Sequence, residues 1–366
     1  RSPMIQIETI GAGGGSIASV DASGMLQVGP ESAGSIPGPA CYGRGNTRPT
    51  VTDANVLLGR IAADRPLGGG LLQALDSHLS KAAIQEHVAT PLGLDVLQAA
   101  EAILTVANAK MAGAIRVVSI ERGHDPRQFA YMPFGGGGGL HVCAMMREVG
   151  VTTGIVPRYP GVTSALGCVM ADMRHDAVQT LNKSLNELDL DQLKSKLKSL
   201  AASCQQRLDS AGVQFESVQE VVALDMLYMG QTHTLQVTLP AGDITRDGIQ
   251  AAFESAYAAA FGRVLNGLVI RVMNLRYARI GVRPKFDLSV LAPTGPGSMQ
   301  PLGVQRVFHA GQWCEAQRYA RLDLPVGAVV HGPAILEQAD TTVWLEPGFT
   351  ARVDALGNLL VEKEAA

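Results

Sequence analysis

Along the first half of the chain, apolar residues recur at two different periods, interrupted by clusters of glycine. Residues 4–10 alternate apolar and polar as a strand does, residues 11–15 break the alternation, and residues 17–28 resume it around Ala22-Ser23-Gly24, which predicts a hairpin. A Gly/Pro-rich loop follows over residues 29–50. Residues 71–88 and 95–118 switch to helical spacing. In the second of these, Val96, Ala99, Ala100, Ile103, Leu104, Ala107 and Met111 fall on one stripe, so two helices are expected. Gly123 and Pro126 end the second helix. Residues 129–134 read as a short buried strand, the next five glycines as a loop, and residues 140–148 as a helix, giving a strand, glycine loop, helix unit.

Between residues 181 and 212 lies the strongest amphipathic helix pattern, with Leu190, Leu193, Leu197, Leu200 and Leu208 on one side. Lys194, Lys196 and Lys198 fall largely elsewhere, as a solvated face does. Residues 218–228, 234–239 and 268–282 read as long strands, with a helix over residues 245–261 before the third. Short strand-like runs then continue to residue 361. The glycine clusters at 11–15, 34–45, 68–70 and 135–139 thin out after about residue 170, which suggests two domains, 1–174 and 175–366. The first reads as α/β, the second as α+β turning mainly β. No internal repeat is visible.

Composition narrows the partners. With 366 residues, 46% hydrophobic and 17% charged, the chain can bury a sizeable core and is not a small stapled scaffold. A net charge of -3 lacks the basic footprint of nucleic-acid binding, so neither nucleic acid nor an anionic membrane is expected as a partner. No apolar run of about 18 residues argues for a membrane span. The five cysteines, Cys41, Cys143, Cys168, Cys204 and Cys314, are widely spaced and never form C-x-x-C, which signals neither a disulfide framework nor a zinc ribbon. A reducing cytoplasm fits best, and no charged and apolar leader precedes the first strand. A start at Arg1 rather than Met is expected of an excised or truncated piece.

Consecutive glycines after a strand let backbone N–H groups surround an anion, because no Cβ stands in the way. Gly11-Ala12-Gly13-Gly14-Gly15-Ser16 nearly spells a dinucleotide fingerprint, with Glu31 about where the ribose-binding acid would be. The context differs: a hairpin pattern follows instead of a helix, and Ser16 replaces the third glycine. No G-x-x-x-x-G-K-[ST] occurs either. The second loop, Gly135, Gly136, Gly137, Gly138 and Gly139, does stand between a strand and a helix, where the helix dipole favours an anion, and is the better nucleotide candidate. For both loops the alternative is that glycine merely allows close strand to helix approach.

Several segments together resemble the hydantoinase A / 5-oxoprolinase family. They are Ile10-Gly11-Ala12-Gly13-Gly14-Gly15-Ser16-Ile17-Ala18, Val28-Gly29-Pro30-Glu31-Ser32-Ala33-Gly34, Pro37-Gly38-Pro39-Ala40-Cys41-Tyr42-Gly43-Arg44-Gly45 and Thr50-Val51-Thr52-Asp53-Ala54-Asn55. Gly123-His124-Asp125-Pro126-Arg127, Phe134 to His141, Tyr228-Met229-Gly230-Gln231, Gly332-Pro333-Ala334-Ile335, Asp340-Thr341-Thr342 and Pro347-Gly348 continue the match over nearly the whole chain. The resemblance implies an ATP-dependent amidohydrolase subunit on an actin-like, ribonuclease H-like ATPase core. Such a subunit opens 5-oxoproline, hydantoin or N-methylhydantoin with ATP and Mg²⁺, in an oligomer with a B-type subunit or fused domain. Phosphorylating the oxygen of a resonance-stabilised lactam creates a leaving group before water attacks. Related subunits serve acetone or acetophenone carboxylases, and a third reading is a non-catalytic scaffold that docks the B-type subunit.

Two departures from the family pattern stand out. The family usually has Pro where Gly138 or Gly139 stands, and its two Asp-Gly-Gly-Thr phosphate hairpins have no counterpart in these residues. The chain alone is therefore expected to be inactive towards ATP, as part of a second ATPase lobe plus a C-terminal domain. Within it, Asp53 is a catalytic candidate as a Mg²⁺ ligand or water-orienting group, with a helix N-cap as the alternative. His141, opening the helix after the second glycine loop, is the other catalytic candidate, with packing or capping as the alternative. Gly13, Gly14, Gly15, Ser16, Cys41 and Arg127 are the substrate-binding candidates, Cys41 alternatively a small buried residue. No metal-ligand spacing joins Cys41, His124 and His141, and no metal site is assigned.

Overall fold

The computed structural model describes residues 7–64, 74–240, 242 and 244–364. Strands β1 (Ser16–Val20) and β2 (Leu26–Ser32) form the expected antiparallel hairpin. Residues 4–6 of the strand expected before it lie outside the described residues, as do 68–70 and 71–73; residues 7–10 have no regular structure. Helix α1 (Val51–Leu57) starts at Thr50, whose side chain accepts from the Asp53 N–H while Asp53 answers the Thr50 N–H, a complete capping box. Helix α2 (Ser77–Ile84) starts at Asp76, later than the periodicity suggests, because the Asp76 carboxylate caps the His78 and Leu79 amides. Helix α3 (Val96–Val118) follows the predicted bounds, capped by Asp95.

The strand expected over residues 129–134 does not form. Phe129, Met132 and Phe134 are exposed, and pairing is limited to a single bridge from Tyr131 to Gly154. Pro126 and Pro133 bracket that residue, and proline has no N–H to continue a ladder. Helix α4 (Val142–Val149), strand β3 (Thr153–Val156) and helix α5 (Thr163–Met170) come next.

Strand β4 (Met173–Ser184) occupies the first residues assigned above to the amphipathic helix. Its pairing with β7 (Ile270–Val282) overrides the helical pattern until Asp189 caps α6 (Leu190–Ser210). Strands β5 (Ser217–Tyr228) and β6 (Leu235–Thr238) and helix α7 (Arg246–Phe261) lie where expected. The sheet order is β4-β7-β5-β6, antiparallel throughout, with α6 and α7 burying Leu193, Phe253 and Tyr257 in its core.

The remaining strands are β8 (Gly303–His309), β9 (Gln312–Ala320), β10 (Val329–His331), β11 (Ala334–Gln338), β12 (Thr341–Leu345), β13 (Phe349–Val353) and β14 (Leu359–Lys363). They build two sheets, β12-β11-β9-β8 and β10-β13-β14-β3. Two compact units result. One is Gly167–Phe286, and the other joins the described residues of Gln6–Leu166 to those of Asp287–Ala366. The physical reason is a shared core, in which Val307, Ala316, Ile335 and Trp344 bury against Cys41, Val56, Ile61 and Leu140. The architecture is mixed α/β with several sheets.

The residues from Val96 to Arg122, α3 and the turn after it, are long and apolar enough to cross a membrane, a length the sequence reading did not credit. One stripe of it, Ala99, Ala100, Ile103, Leu104 and Ala107, buries against Val51, Ala54 and Leu58 around α1, while 28% of its most apolar window is buried in all.

Candidate functional site

Ser16 folds the first glycine loop onto itself. Its Oγ accepts from the Gly13 N–H at 2.9 Å, and its own N–H donates to the Gly13 carbonyl at 3.0 Å. The loop is then tied to neighbouring segments: the Gly14 carbonyl accepts from the Thr52 N–H and the Gly15 carbonyl from the Ala33 N–H. A Cβ on Gly14 would stand 2.8 Å from Thr52 Oγ1, so glycine is what lets the loop approach α1. The loop leads into β1, not a helix, and Glu31 is paired with Arg48 at 2.6 Å. The dinucleotide geometry is therefore not formed here.

The second loop is pressed against the start of β12. Gly135 has φ +81 and donates its N–H to the Pro160 carbonyl, while the Gly135 and Gly136 carbonyls accept from Thr341 Oγ1. A Cβ on Gly139 would meet the Thr342 carbonyl and Val343 Cγ2 at 2.8 Å, and one on Gly138 would meet Pro133 at 3.3 Å. Gly137 is different: nothing lies within 4 Å of a Cβ there. A short 3₁₀ turn, Gly138–His141, then leads into α4.

Between these loops opens a cleft of about 630 Å³. Gly14 and Gly15 border it on one side, Gly136 and Gly137 with Asp340, Thr341 and Thr342 on another. Ile36, Pro39, Val51, Ile61 and Leu140 make its lining largely apolar. His141 is the predicted catalytic residue that reaches the cleft. The residue is 6% exposed, and its Nδ1 lies 2.8 Å from Asn108 Oδ1 on α3. Burial, with the nearby Arg60 guanidinium second, pushes its pKa down to about 4, so the imidazole is neutral near pH 7.

Asp53, the other catalytic candidate, is fully buried and committed elsewhere. Its Oδ1 accepts from the Cys41 N–H and Ser80 Oγ, each at 2.8 Å. Its Oδ2 accepts from the Ala40 N–H at 3.0 Å, the Thr50 N–H at 2.9 Å and Thr50 Oγ1 at 2.8 Å. Five donors occupy its lone-pair sites, and Asp53 stands at the third position of the capping box, where Thr50 and not Asp53 is the N-cap. Cys41 is likewise a core residue, 1% exposed, and its thiol is pushed up by burial and then by the Asp53 charge. Arg127 is largely exposed and paired with Asp125, away from the cleft lining. Gly13, Ser16, Gly135, Gly138 and Gly139 shape the loops without lining the cleft. Among the described residues no group of three or more His, Cys, Asp or Glu is placed to hold a metal ion.

Sequence reasoning missed Asn108, Arg60 and the cleft role of Asp340. Asn108 follows Ala107 at the edge of the α3 stripe, where a polar residue looks like ordinary solvent-facing helix. Asp340 lay in a quoted motif, but nothing in its spacing tied it to glycines two hundred residues earlier.

Two glycine loops and a neutral histidine thus meet around one half-open cleft of small-molecule size, on a mixed α/β fold. The family model described as Hydantoinase/oxoprolinase matches residues 1–177, and that described as Hydantoinase/oxoprolinase C-terminal domain matches residues 181–364. The chain belongs to the hydantoinase/oxoprolinase family. Caprolactamase subunit alpha of Pseudomonas jessenii is 36% identical over 96% of this chain and 52% of its own length. The crystal structure of the ATP-dependent caprolactamase from that organism superposes with a TM-score of 0.81 at 34% identity, over 99% of this chain and 53% of that one. Acetophenone carboxylase gamma subunit of Aromatoleum aromaticum is 32% identical over 98% of this chain and 51% of its own length. 5-Oxoprolinase PfmaA of Pestalotiopsis fici is 33% identical over 96% of this chain and 28% of its own. The chain thus spans about half the length of the first of these relatives, or less.

Proposed function

We propose that this chain is the cleft-bearing part of an ATP-dependent hydrolase that opens a cyclic amide, built on an actin-like, ribonuclease H-like core and working with a B-type subunit or domain. The observation that supports this reading is the meeting of both glycine loops, Asp340–Thr342 and a neutral histidine on one cleft of about 630 Å³. That volume lies in the usual range for small-molecule sites. Gly136 and Gly137 offer a base or sugar a backbone wall without Cβ atoms, and the apolar lining suits an uncharged ring. Triphosphate needs more positive charge than this wall carries, because Arg44 is the one cationic side chain lining the described cleft. We therefore assign the β- and γ-phosphates mainly to that part of the relatives' length which this chain does not span.

Mg²⁺ needs only one or two carboxylates besides phosphate oxygens and water. Asp340 is the carboxylate that lines the cleft and would be its ligand; its Oδ2 accepts the Gly161 N–H at 3.0 Å. When bound, Mg²⁺ supplies charge neutralisation to the transferring phosphate. The five free cysteines suit a reducing cytoplasm.

A ketone carboxylase subunit is the second reading, favoured by the acetophenone carboxylase relative that covers 98% of the chain. The deciding assay follows ADP release by the whole protein with its partner. We expect stimulation by 5-oxoproline, hydantoin or caprolactam alone. Stimulation only by acetone or acetophenone together with bicarbonate would establish the carboxylase reading instead.

A further inference from the structure

His141 Nδ1 lies 2.8 Å from Asn108 Oδ1. An amide oxygen can only accept, so this contact is a hydrogen bond in the tautomer whose Nδ1 carries the proton. Nε2 is then the ring nitrogen with a lone pair to offer. The ring lines the cleft while Asn108 does not; Asn108 acts from behind, on α3. Around this pair the charges favour the neutral ring. Arg60 faces His141 and disfavours imidazolium, and Arg60 is itself surrounded by Glu346, Glu101 and Arg147. Glu346 is bound by Arg147 and lies 3.9 Å from His309 Nε2, so its charge is directed to that cluster and not to the His141 ring. The apolar lining from Ile36, Val51, Ile61 and Leu140 gives a ring ligand few other polar contacts.

We propose that Asn108 is a positioning residue that presents His141 Nε2 to the cleft as a hydrogen-bond acceptor, and that the cleft thereby selects a neutral ring carrying an N–H donor, an unsubstituted cyclic amide over its N-alkylated counterpart. The selection rests on the cyclic-amide reading above; the positioning role does not. A buried acceptor left without a donor is costly, so an N-methylated ring loses the hydrogen bond and also strands Nε2.

Two measurements test this on separate footings. The first is long-range ¹H–¹⁵N correlation NMR on the ¹⁵N-histidine-labelled protein, with His141→Gln assigning the signal. Protonated Nδ1 and unprotonated Nε2 at pH 7 are expected, with the preference lost in Asn108→Ala. A proton on Nε2 in the wild type, or an unchanged tautomer in Asn108→Ala, overturns the positioning role. The second is calorimetric binding of caprolactam and N-methylcaprolactam to the full-length protein. The unsubstituted lactam should bind about tenfold tighter, the size of one such hydrogen bond, and the ratio should approach one in Asn108→Ala. Asn108→Asp supplies a carboxylate that raises the histidine pKa, so its discrimination should vanish as pH falls, a change that a purely structural role would not produce. Equal binding of the two lactams to wild type overturns the selection. The expected tautomer without binding of either lactam refutes the cyclic-amide reading and the selection with it, while supporting the positioning role.

Discussion

Replacing Asp53 by alanine should unfold the cleft floor before it touches any chemistry. The Asp53 carboxylate accepts five hydrogen bonds, three from backbone amides at Ala40, Cys41 and Thr50 and two from the Ser80 and Thr50 hydroxyls. Hydrogen bonds to a charged group contribute about 1.5–3 kcal/mol each, but the hydroxyls can rotate to other acceptors and the amides can recruit water. A net loss of about 3–5 kcal/mol is the reasonable scale, matching what breaking other buried charged arrangements costs. At roughly 2–4 °C per kcal/mol for a unit of this size, the melting temperature should fall by about 6–20 °C. Asp53→Asn keeps one oxygen and should lose about half as much, since either the two donors on Oδ1 or the three on Oδ2 lose their acceptor. The assay is thermal denaturation followed by circular dichroism, paired with ADP release by the whole protein. Since Pro39 and Tyr42 flank Ala40 and Cys41 and line the cleft, some loss of ligand affinity should accompany the lower melting temperature. An Asp53→Ala protein that melts like the wild type but fails to turn over ATP would refute this reasoning and return Asp53 to the chemistry.

Further predictions follow from the same geometry. Gly139→Ala drives a Cβ to 2.8 Å from the Thr342 carbonyl and should cost about 1–3 kcal/mol in denaturant titration, whereas Gly137→Ala, with nothing within 4 Å, should leave stability alone and weaken nucleotide binding. In the native protein, thiol titration with a disulfide reagent should modify exposed Cys168 quickly and spare Cys41, whose thiol burial holds protonated. The His141 pKa is about 4 folded against 6.5 unfolded, so its neutral burial contributes stability above pH 6.5 that is lost as pH falls to 4. That difference is worth ~3 kcal/mol, and His141→Gln should flatten the stability profile over the same window. Arg127→Ala should change neither melting temperature nor ligand binding, because its one partner is its neighbour Asp125 on the surface.

Local signals were legible where a residue's own neighbours decide its conformation. The α3 stripe from Val96 to Ala107, the β1–β2 turn and the β5, β6, α7, β7 succession all depend on short-range periodicity and caps, and they lie close to where the sequence places them. What failed did so through long-range pairing or its denial. Residues 181–184 have a helical pattern but lie on β4 because β7 offers them a partner; residues 129–134 have a strand pattern but only Tyr131 finds one. Asp53 was left open by the sequence for a related reason. An aspartate three residues after a threonine is equally a capping box and a candidate ligand, and only the donors at Ala40, Cys41 and Ser80 decide between them.

The glycine loops show why motif and site coincide only in part. In the second loop, Gly139 is demanded by the β12 backbone and Gly135 by its positive φ, so those two would be glycine whatever the cleft binds. Gly137 has no such demand, and Gly136 only a mild one from the Asp340 carbonyl at 3.2 Å; both line the cleft. In this loop the glycines that line the cleft are the ones the fold constrains least. The first loop divides otherwise: Gly14 and Gly15 line the cleft although a Cβ there would stand 2.8 Å from Thr52 Oγ1 and 3.0 Å from Ser32 Oγ, while Gly13, which helps close the turn, has nothing within 4 Å. His141 lines the same cleft, and its Nδ1 lies 2.8 Å from Asn108 Oδ1 on another helix, a contact that is a hydrogen bond only when Nδ1 carries the proton, which is why the tautomer is the property to measure.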